Sequence, residues 1–267
     1  MIGRILIIAG SDSGGGAGIQ ADIKTVTSLN GYAATALTAL TAQNTCGVHQ
    51  FFSVDKTFVC DQIVAVLNDI GADCIKIGML SNAAIINTVY QVMVEKAVGI
   101  PIVLDPVMVA KGGEVLLDRG SIKSLRDFLL PLAYLLTPNI PEAETLLGAK
   151  ISSVEDMKSA AKDLKEMGPK AVLVKGGHMT GDNLTDVLLD SSGYHHFDNQ
   201  RVKTHDTHGT GCTLSSAIAT GIAQGLCLRE AIGRGQSYVI SAIQSAPGYG
   251  RGHGPINHCH TVRPFQI

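Results

Sequence analysis

The chain has 267 residues, 45% hydrophobic and 16% charged, enough to bury a substantial core and at the upper end for one folded unit. Lys and Arg total 21 against 23 Asp and Glu, a formal net charge of -2, and no basic run is interleaved with aromatics, which argues against a nucleic-acid partner. Cysteines at 46, 60, 74, 212, 227 and 259 show neither C-x-x-C spacing nor a disulfide framework, and they read as reduced thiols of a cytoplasmic protein.

In chain order, residues 5–9 form an apolar run too short for a signal sequence or membrane span, so they predict a first buried strand ending at Gly10-Ser11-Asp12. The glycines of 13–18 follow, and Gly16, Gly18 and Ala21 fit the loose dinucleotide pattern G-x-G-x-x-A. That pattern requires an acid at the end of the next strand, and residues 32–42 contain none. The glycines instead allow close approach of backbone to a small ligand, with Asp22 on the first turn of a helix over 19–29 able to accept a hydrogen bond from it.

Strands are predicted over 34–40, 74–79, 102–106, 133–137, 171–175 and 186–190, and helices over 58–70, 83–97, 122–129, 154–167 and 214–224. This alternation predicts one α/β unit over residues 1–267, a mostly parallel central sheet with helices on both faces. Polar or glycine residues follow the apolar runs repeatedly: Gln43-Asn44-Thr45, Gly78-Met79, Asp105-Pro106, Asn139 and Lys175-Gly176-Gly177. In such sheets ligands lie outside the carboxyl ends of the strands, so one rim collects the chemistry. The glycine-bearing stretch 108–120, with Lys111-Gly112-Gly113, is the candidate mobile flap.

Near the end of the alternation, Thr207-His208-Gly209-Thr210-Gly211-Cys212-Thr213 runs into an Ala-rich helix. A glycine turn there leaves backbone N–H groups unpaired at the positive end of a helix dipole, which suits an anion. The same dipole favours a thiolate, making Cys212 a candidate base or nucleophile. Lys175 brings a point charge to the same rim, as lysine does beside phosphate chains. Asp105 and Glu142 suit Mg2+, which takes few protein carboxylates and completes its shell with nucleotide phosphates; the plainer reading makes them a turn cap and a first-turn residue. Histidines 205, 208, 253, 258 and 260 share no i, i+4 pair, and no zinc site is read from them.

Together, residues 9–12, 15–22, 43–45, 76–79, 105–108, 137–139 with Glu142, 174–178 and 208–213 resemble the hydroxymethylpyrimidine/phosphomethylpyrimidine kinases of thiamine biosynthesis, in the ribokinase superfamily. The resemblance extends to Gly252-His253-Gly254-Pro255-Ile256-Asn257-His258 and covers essentially the whole chain. It implies a ribokinase-like three-layer fold and two ATP-dependent phosphorylations, first of 4-amino-5-hydroxymethyl-2-methylpyrimidine and then of its monophosphate. Gln43 would read the aminopyrimidine edge, with Asp22, Gly10, Met79 and Val107 lining the pocket. Gly209, Thr210 and Gly211 would form the anion hole with Lys175, Cys212 would be catalytic, and Asp105, Asn139, Lys175 and Thr210 would face the nucleotide. Most of the superfamily carries aspartate where Cys212 stands, and Ser13 replaces a proline common among relatives. The resemblance also implies a homodimer and leaves a monovalent cation open. Its rivals are a pyridoxal kinase on the same fold, a thiol hydrolase using Cys212 with His208 or His205, and a non-catalytic pyrimidine sensor.

Overall fold

The computed structural model describes residues 2–109, 113, 114 and 116–263. In order, its main elements are β1 (Arg4–Asp12), α1 (Gly18–Ser28), β2 (Tyr32–Asn44), β3 (Gly47–Ser53), α2 (Lys56–Asp69), β4 (Cys74–Ile77), α3 (Ala83–Lys96), β5 (Ile102–Leu104) and α4 (Arg119–Ser124). There follow β6 (Leu135–Leu136), α5 (Ile140–Leu147), α6 (Val154–Glu166), β7 (Ala171–Val174), β8 (Asn183–Asp190), β9 (Gly193–Gln200), α7 (Thr210–Ala223) and α8 (Leu228–Gln244). The strands form one sheet in the order β3-β2-β1-β4-β5-β6-β7-β8-β9. The run from β2 to β7 is parallel, while β3, β8 and β9 each pair antiparallel with the strand before them.

The three layers follow from the period-2 geometry of β1. Ile5, Ile7 and Ala9 pack with Ile218 of α7 and Ile232 of α8, whereas Leu6 and Ile8 pack with Ile63 of α2 and Ile86 of α3. Both faces of β1 are buried, which is why its sequence is a continuous apolar run. The chain leaves β1 toward β2 on one side and returns to β4 on the other, so a crevice opens beyond the carboxyl ends of β1 and β4.

Four elements lie beyond those expected. β9 reads Gly-Tyr-His-His-Phe-Asp-Asn-Gln, half-exposed along its length and too polar for an apolar-run signal. α8 contains Gly233 and Gly235, and a methyl at Gly235 would stand 3.2 Å from a Leu214 methyl, so that glycine serves close packing on α7. α5 is short but strongly delimited, with an Asn139/Glu142 capping box at its start and Gly148 at φ 71 at its end. β3 extends the sheet as an edge hairpin partner of β2. The helix expected over 122–129 divides into α4 and a π-turn over Leu125–Leu129, closed by a 3-10 turn holding Pro131.

Of the expected flap, residues 110–112 and 115 lie outside the described residues, Lys111 among them. On its flanks the Leu116 amide donates to the Met108 carbonyl at 2.8 Å, and Leu116 packs with Ala39, Met79 and Val107. Among the described residues no helix is long and apolar enough to cross a membrane.

Candidate active site

A cavity of about 880 Å³ lies over the carboxyl ends of the parallel strands. Its wall includes Gly10 from the end of β1, Gln43 from β2, Met79 after β4, Asp105 and Val107 after β5, Asn139 and Glu142 at the start of α5, Lys175 after β7, and Gly209 to Cys212 at the start of α7. Of the site residues expected from the sequence, Asp22 alone is missing from that wall. It is wholly buried beneath the cavity, where Lys76 donates to one carboxylate oxygen at 2.8 Å and Ser216 to the other at 2.7 Å. The expectation that Asp22 accepts from a ligand is therefore corrected: both its oxygens are occupied within the protein.

Two glycine turns open helices here, and they differ in what their amides meet. In the first, the Asp12 carboxylate accepts from the N–H groups of Gly14 at 2.7 Å, Gly16 at 3.0 Å and Ala17 at 2.8 Å. The chain's own anion fills this nest, so these amides are not free for a ligand. In the second, the Gly209 cap lies at φ 81 and offers no side chain to the helix. Among the described residues no acceptor meets the amides of Gly209, Gly211 or Cys212. A methyl built on Gly211 would stand 3.4 Å from the Lys175 ammonium and 3.7 Å from an Asp105 oxygen, so the open turn faces a charged pair across a narrow gap.

Lys175 donates to Asp105 at 2.8 Å, with side chains 12% and 2% exposed. Thr137 donates to the same Asp105 oxygen at 3.2 Å and Ser215 of α7 to the other at 3.4 Å. Burial opposes ionisation of Asp105, but the ammoniums of Lys175 and Lys76 outweigh it and hold its pKa below the usual carboxylate range. Glu142 accepts the Asn139 amide at 2.8 Å, completing the capping box. Burial pushes its pKa up to about 7, with Lys175 opposing and Asp105 reinforcing the shift. Two buried carboxylates that repel one another beside a cavity form a donor set suited to a hard divalent cation such as Mg2+. Glu142 does lie in the first turn of α5, as the plainer reading had it, but at 7% exposure it is buried rather than solvated.

Cys212 departs from expectation in its titration. Burial pushes the thiol up to about 11, against the pull of the Lys76 ammonium, while Asp22 and Asp105 add to the rise and the Gly18 amide opposes it. The helix dipole does not overcome desolvation, so the resting group is a thiol.

The sequence reading gave His208 a role only as a partner of Cys212 in a rival hydrolase, and it missed several other participants. His208 meets Asp12 at 2.8 Å in a buried pair, and its ring nitrogen lies 3.4 Å from the Gln43 amide nitrogen. This pair ties the first glycine turn to the second. A charged residue inside the apolar strand Cys74-Ile75-Lys76-Ile77 was the available signal for Lys76. No comparable signal marked Ser215, Ser216 or Thr137, which read as ordinary small polar residues until the strands and α7 come together.

A mostly parallel sheet between two helical layers, with an open anion turn beside Lys175 and Asp105 at its carboxyl edge, defines a ribokinase-like kinase. Residues 12–257 match the family model described as phosphomethylpyrimidine kinase, and the chain belongs to that family. It is 45% identical to the hydroxymethylpyrimidine/phosphomethylpyrimidine kinase of Bacillus subtilis, covering 96% of this chain and 94% of that protein. It is 53% identical to the thiamine biosynthesis bifunctional protein ThiED of Geobacter sulfurreducens over 96% of this chain, and spans about half, 52%, of that longer protein. The solved phosphomethylpyrimidine kinase of Clostridium difficile superposes with a TM-score of 0.81 at 41% identity, covering 91% of this chain and all of that one. The Bacillus subtilis pyridoxal kinase solved as an ADP complex superposes with a TM-score of 0.89 at 35% identity, covering 97% and 98%.

Proposed function

We propose that this protein transfers the γ-phosphoryl group of ATP to the hydroxymethyl group of 4-amino-5-hydroxymethyl-2-methylpyrimidine, and then a second one to the resulting monophosphate. The observation that carries this reading is the set of unmet amides at Gly209, Gly211 and Cys212, facing Lys175 and Asp105 in a cavity that also holds Gln43. Phosphoryl transfer asks the protein mainly for positioning and for stabilisation of charge on the moving group.

The cavity wall offers surfaces for both substrates. Gly10, Gln43, Met79 and Val107 suit the pyrimidine, the Gln43 amide matching an exocyclic amine and its neighbouring ring nitrogen. Leu214, Val239, Ile240 and Ile243 of the same wall give apolar surface for an adenine ring. Asn139, whose backbone bridges to that of Lys175, and Thr210 face the nucleotide. Asp105 and Glu142 would hold Mg2+, which supplies charge neutralisation to the nucleotide phosphates when bound. The amides of Gly209, Gly211 and Cys212 meet the transferring group and Lys175 meets its neighbours. Cys212 takes the hydroxyl proton in the first transfer. In the second the acceptor is an ionised phosphate, and little proton remains to be removed.

The working reading of assembly is a homodimer in the cytoplasm. The edge strand β3 supports the pairing, since it exposes Phe52 at 69% and Phe51 at 46%, apolar area that a partner would cover. Sedimentation across a concentration series checks it.

A pyridoxal kinase is the second reading, favoured by the superposition on the Bacillus subtilis pyridoxal kinase. Measuring kcat/KM for both alcohols, with products identified, decides between them: higher efficiency on pyridoxal overturns the pyrimidine assignment. On the pyrimidine, Cys212→Ala is expected to lower the first transfer by about 10²- to 10⁴-fold and the second by far less. Only the thiolate accepts a proton, so with the thiol near pH 11 the first rate climbs as pH rises through neutrality. The second flattens once the acceptor phosphate is ionised, above about pH 7. Equal losses and parallel pH profiles in both steps would leave Cys212 a positioning role only.

A further inference from the structure

Lys76 is the one charged side chain inside β4, and its exposure is 0%. Taking an ammonium and a carboxylate out of water costs more than their mutual attraction commonly returns, so the Lys76–Asp22 pair is poorly explained by stability alone. Its placement is informative. Ser216, which donates to Asp22 at 2.7 Å, sits one helical turn after Cys212 on α7, so Cys212 and the pair are stacked along one helix face. Lys76 and Cys212 both reach the cavity wall, whereas Asp22 does not. Asp22 is the sole acceptor that meets the Lys76 ammonium among the described residues, leaving the other N–H groups of the ammonium for the cavity side.

We infer that Lys76 is a positioning residue whose ammonium, anchored from below by Asp22 and Ser216, stabilises negative charge on the Cys212 sulfur while the substrate hydroxyl is deprotonated. The inference rests on the reading of Cys212 as base. Four charged groups face this thiol: Lys76 from β4, Asp22 from α1, Asp105 beyond β5 and Lys175 beyond β7. Lys76 pulls the thiol toward ionisation, and Asp22 and Asp105 oppose. In turn Asp22 and Asp105, joined by Cys212 once it ionises, keep Lys76 protonated against the effect of burial. Cys212 first gives its own proton to solvent, the charge on sulfur being stabilised by Lys76; the thiolate then takes the proton of the substrate hydroxyl as that oxygen bonds to the γ-phosphorus and the bridging oxygen leaves with ADP, and Lys76 keeps its own proton throughout.

The test removes both buried charges together, since Lys76→Met alone would strand Asp22. Pairing Lys76→Met with Asp22→Asn replaces the ion pair with neutral groups of similar size, a change that commonly preserves folding; Lys76→Gln with Asp22→Asn is the second version, able to keep one hydrogen bond. The readout is the rate of iodoacetamide alkylation of Cys212 against pH, resolved by peptide mass spectrometry from the other five cysteines. Because Asp22 opposes Lys76 at the thiol, the reference is Asp22→Asn alone; against it the midpoint for Cys212 is expected to rise by about one pH unit in the double variants, so alkylation at fixed pH slows about tenfold. The first transfer falls by a similar factor, with the KM for ATP and the second transfer within about twofold. An unmoved midpoint in a folded variant overturns the inference, and so does equal loss in both transfers. Failure of the base reading shows separately, as a first transfer that survives Cys212→Ala.

Discussion

The two glycine turns of this protein are alike in sequence and opposite in use. Each follows a polar residue, bends through a glycine with positive φ and opens a buried helix. In the first, Asp12 folds back into its own nest and takes three amides; in the second, among the described residues no acceptor meets the amides of Gly209, Gly211 or Cys212. A glycine turn at a helix start therefore identifies a possible anion site, and the nearest carboxylate of the same chain decides whether it stays available. His208 joins the two, bonding to Asp12 from the residue just ahead of Gly209.

The sharpest way to break this comparison is a methyl group in each turn. At Gly209, φ 81 is strained for any L side chain and the added carbon would run into the Gly16 carbonyl oxygen. Gly209→Ala is expected to displace the open amides and lower both transfers by about 10³-fold or more. Gly15 has nearly the same φ of 77, but its methyl would meet only the Lys24 ammonium at 3.4 Å. Gly15→Ala should reduce stability by about 1 kcal/mol and leave both rates within about twofold. Similar kinetic losses in the two variants would show that the first turn also serves the substrate.

Next in size is the carboxylate that separates the turns. Asp12→Asn retains one acceptor oxygen for three amides and places an NH₂ group against a donor, so a stability loss of about 2 kcal/mol is expected in denaturant unfolding. Because His208 loses its anionic partner, the second turn is disturbed too, and the first transfer should fall about tenfold. A variant as stable as the parent would mean that water satisfies those amides equally well.

Much of this was legible in the sequence. Burial on both faces makes parallel strands apolar runs, so β1, β4, β5 and β7 announce themselves, and their carboxyl-end residues follow directly. Asp105 and Lys175 were found that way, Gln43 from the polar stretch after the run 34–40, and the 209–212 turn from its glycines opening an Ala-rich helix. Asp22 was misplaced because α1 starts at Gly18, which carries Asp22 past the first turn, and sequence position alone does not say whether such an acid faces ligand or lysine; the answer came from Lys76, 54 residues on. The Cys212 thiol was misjudged because dipole and burial oppose each other there, and only packing reveals the depth of burial. The capping function of Asp12 depends on a backbone curl that glycine permits without dictating.

The smallest expected effect concerns the segment that braces the second turn from behind. His258 accepts from or donates to Thr213 at 2.9 Å, next to Cys212, and is 4% exposed. Burial, with the charges of Lys24 and His260, lowers its pKa to about 4, so the folded protein keeps it neutral where the unfolded chain, near 6.5, is already protonated. Between those values the unfolded state binds more protons, and stability drawn from His258 is complete above pH 6.5 and fades as pH falls toward 4. His258→Asn leaves the backbone carbonyl bonds from Ser28 and Tyr238 in place. It should cost about 1 kcal/mol at pH 7, and the gap to the parent should narrow at pH 5 because the variant has no imidazole to protonate. A gap that widens on acidification would show that the imidazole is charged in the fold, and Thr213 would then be accepting rather than donating. Because Asp12 holds the first turn with a full charge and His258 holds the second with a neutral ring, acid should loosen the open turn before the filled one.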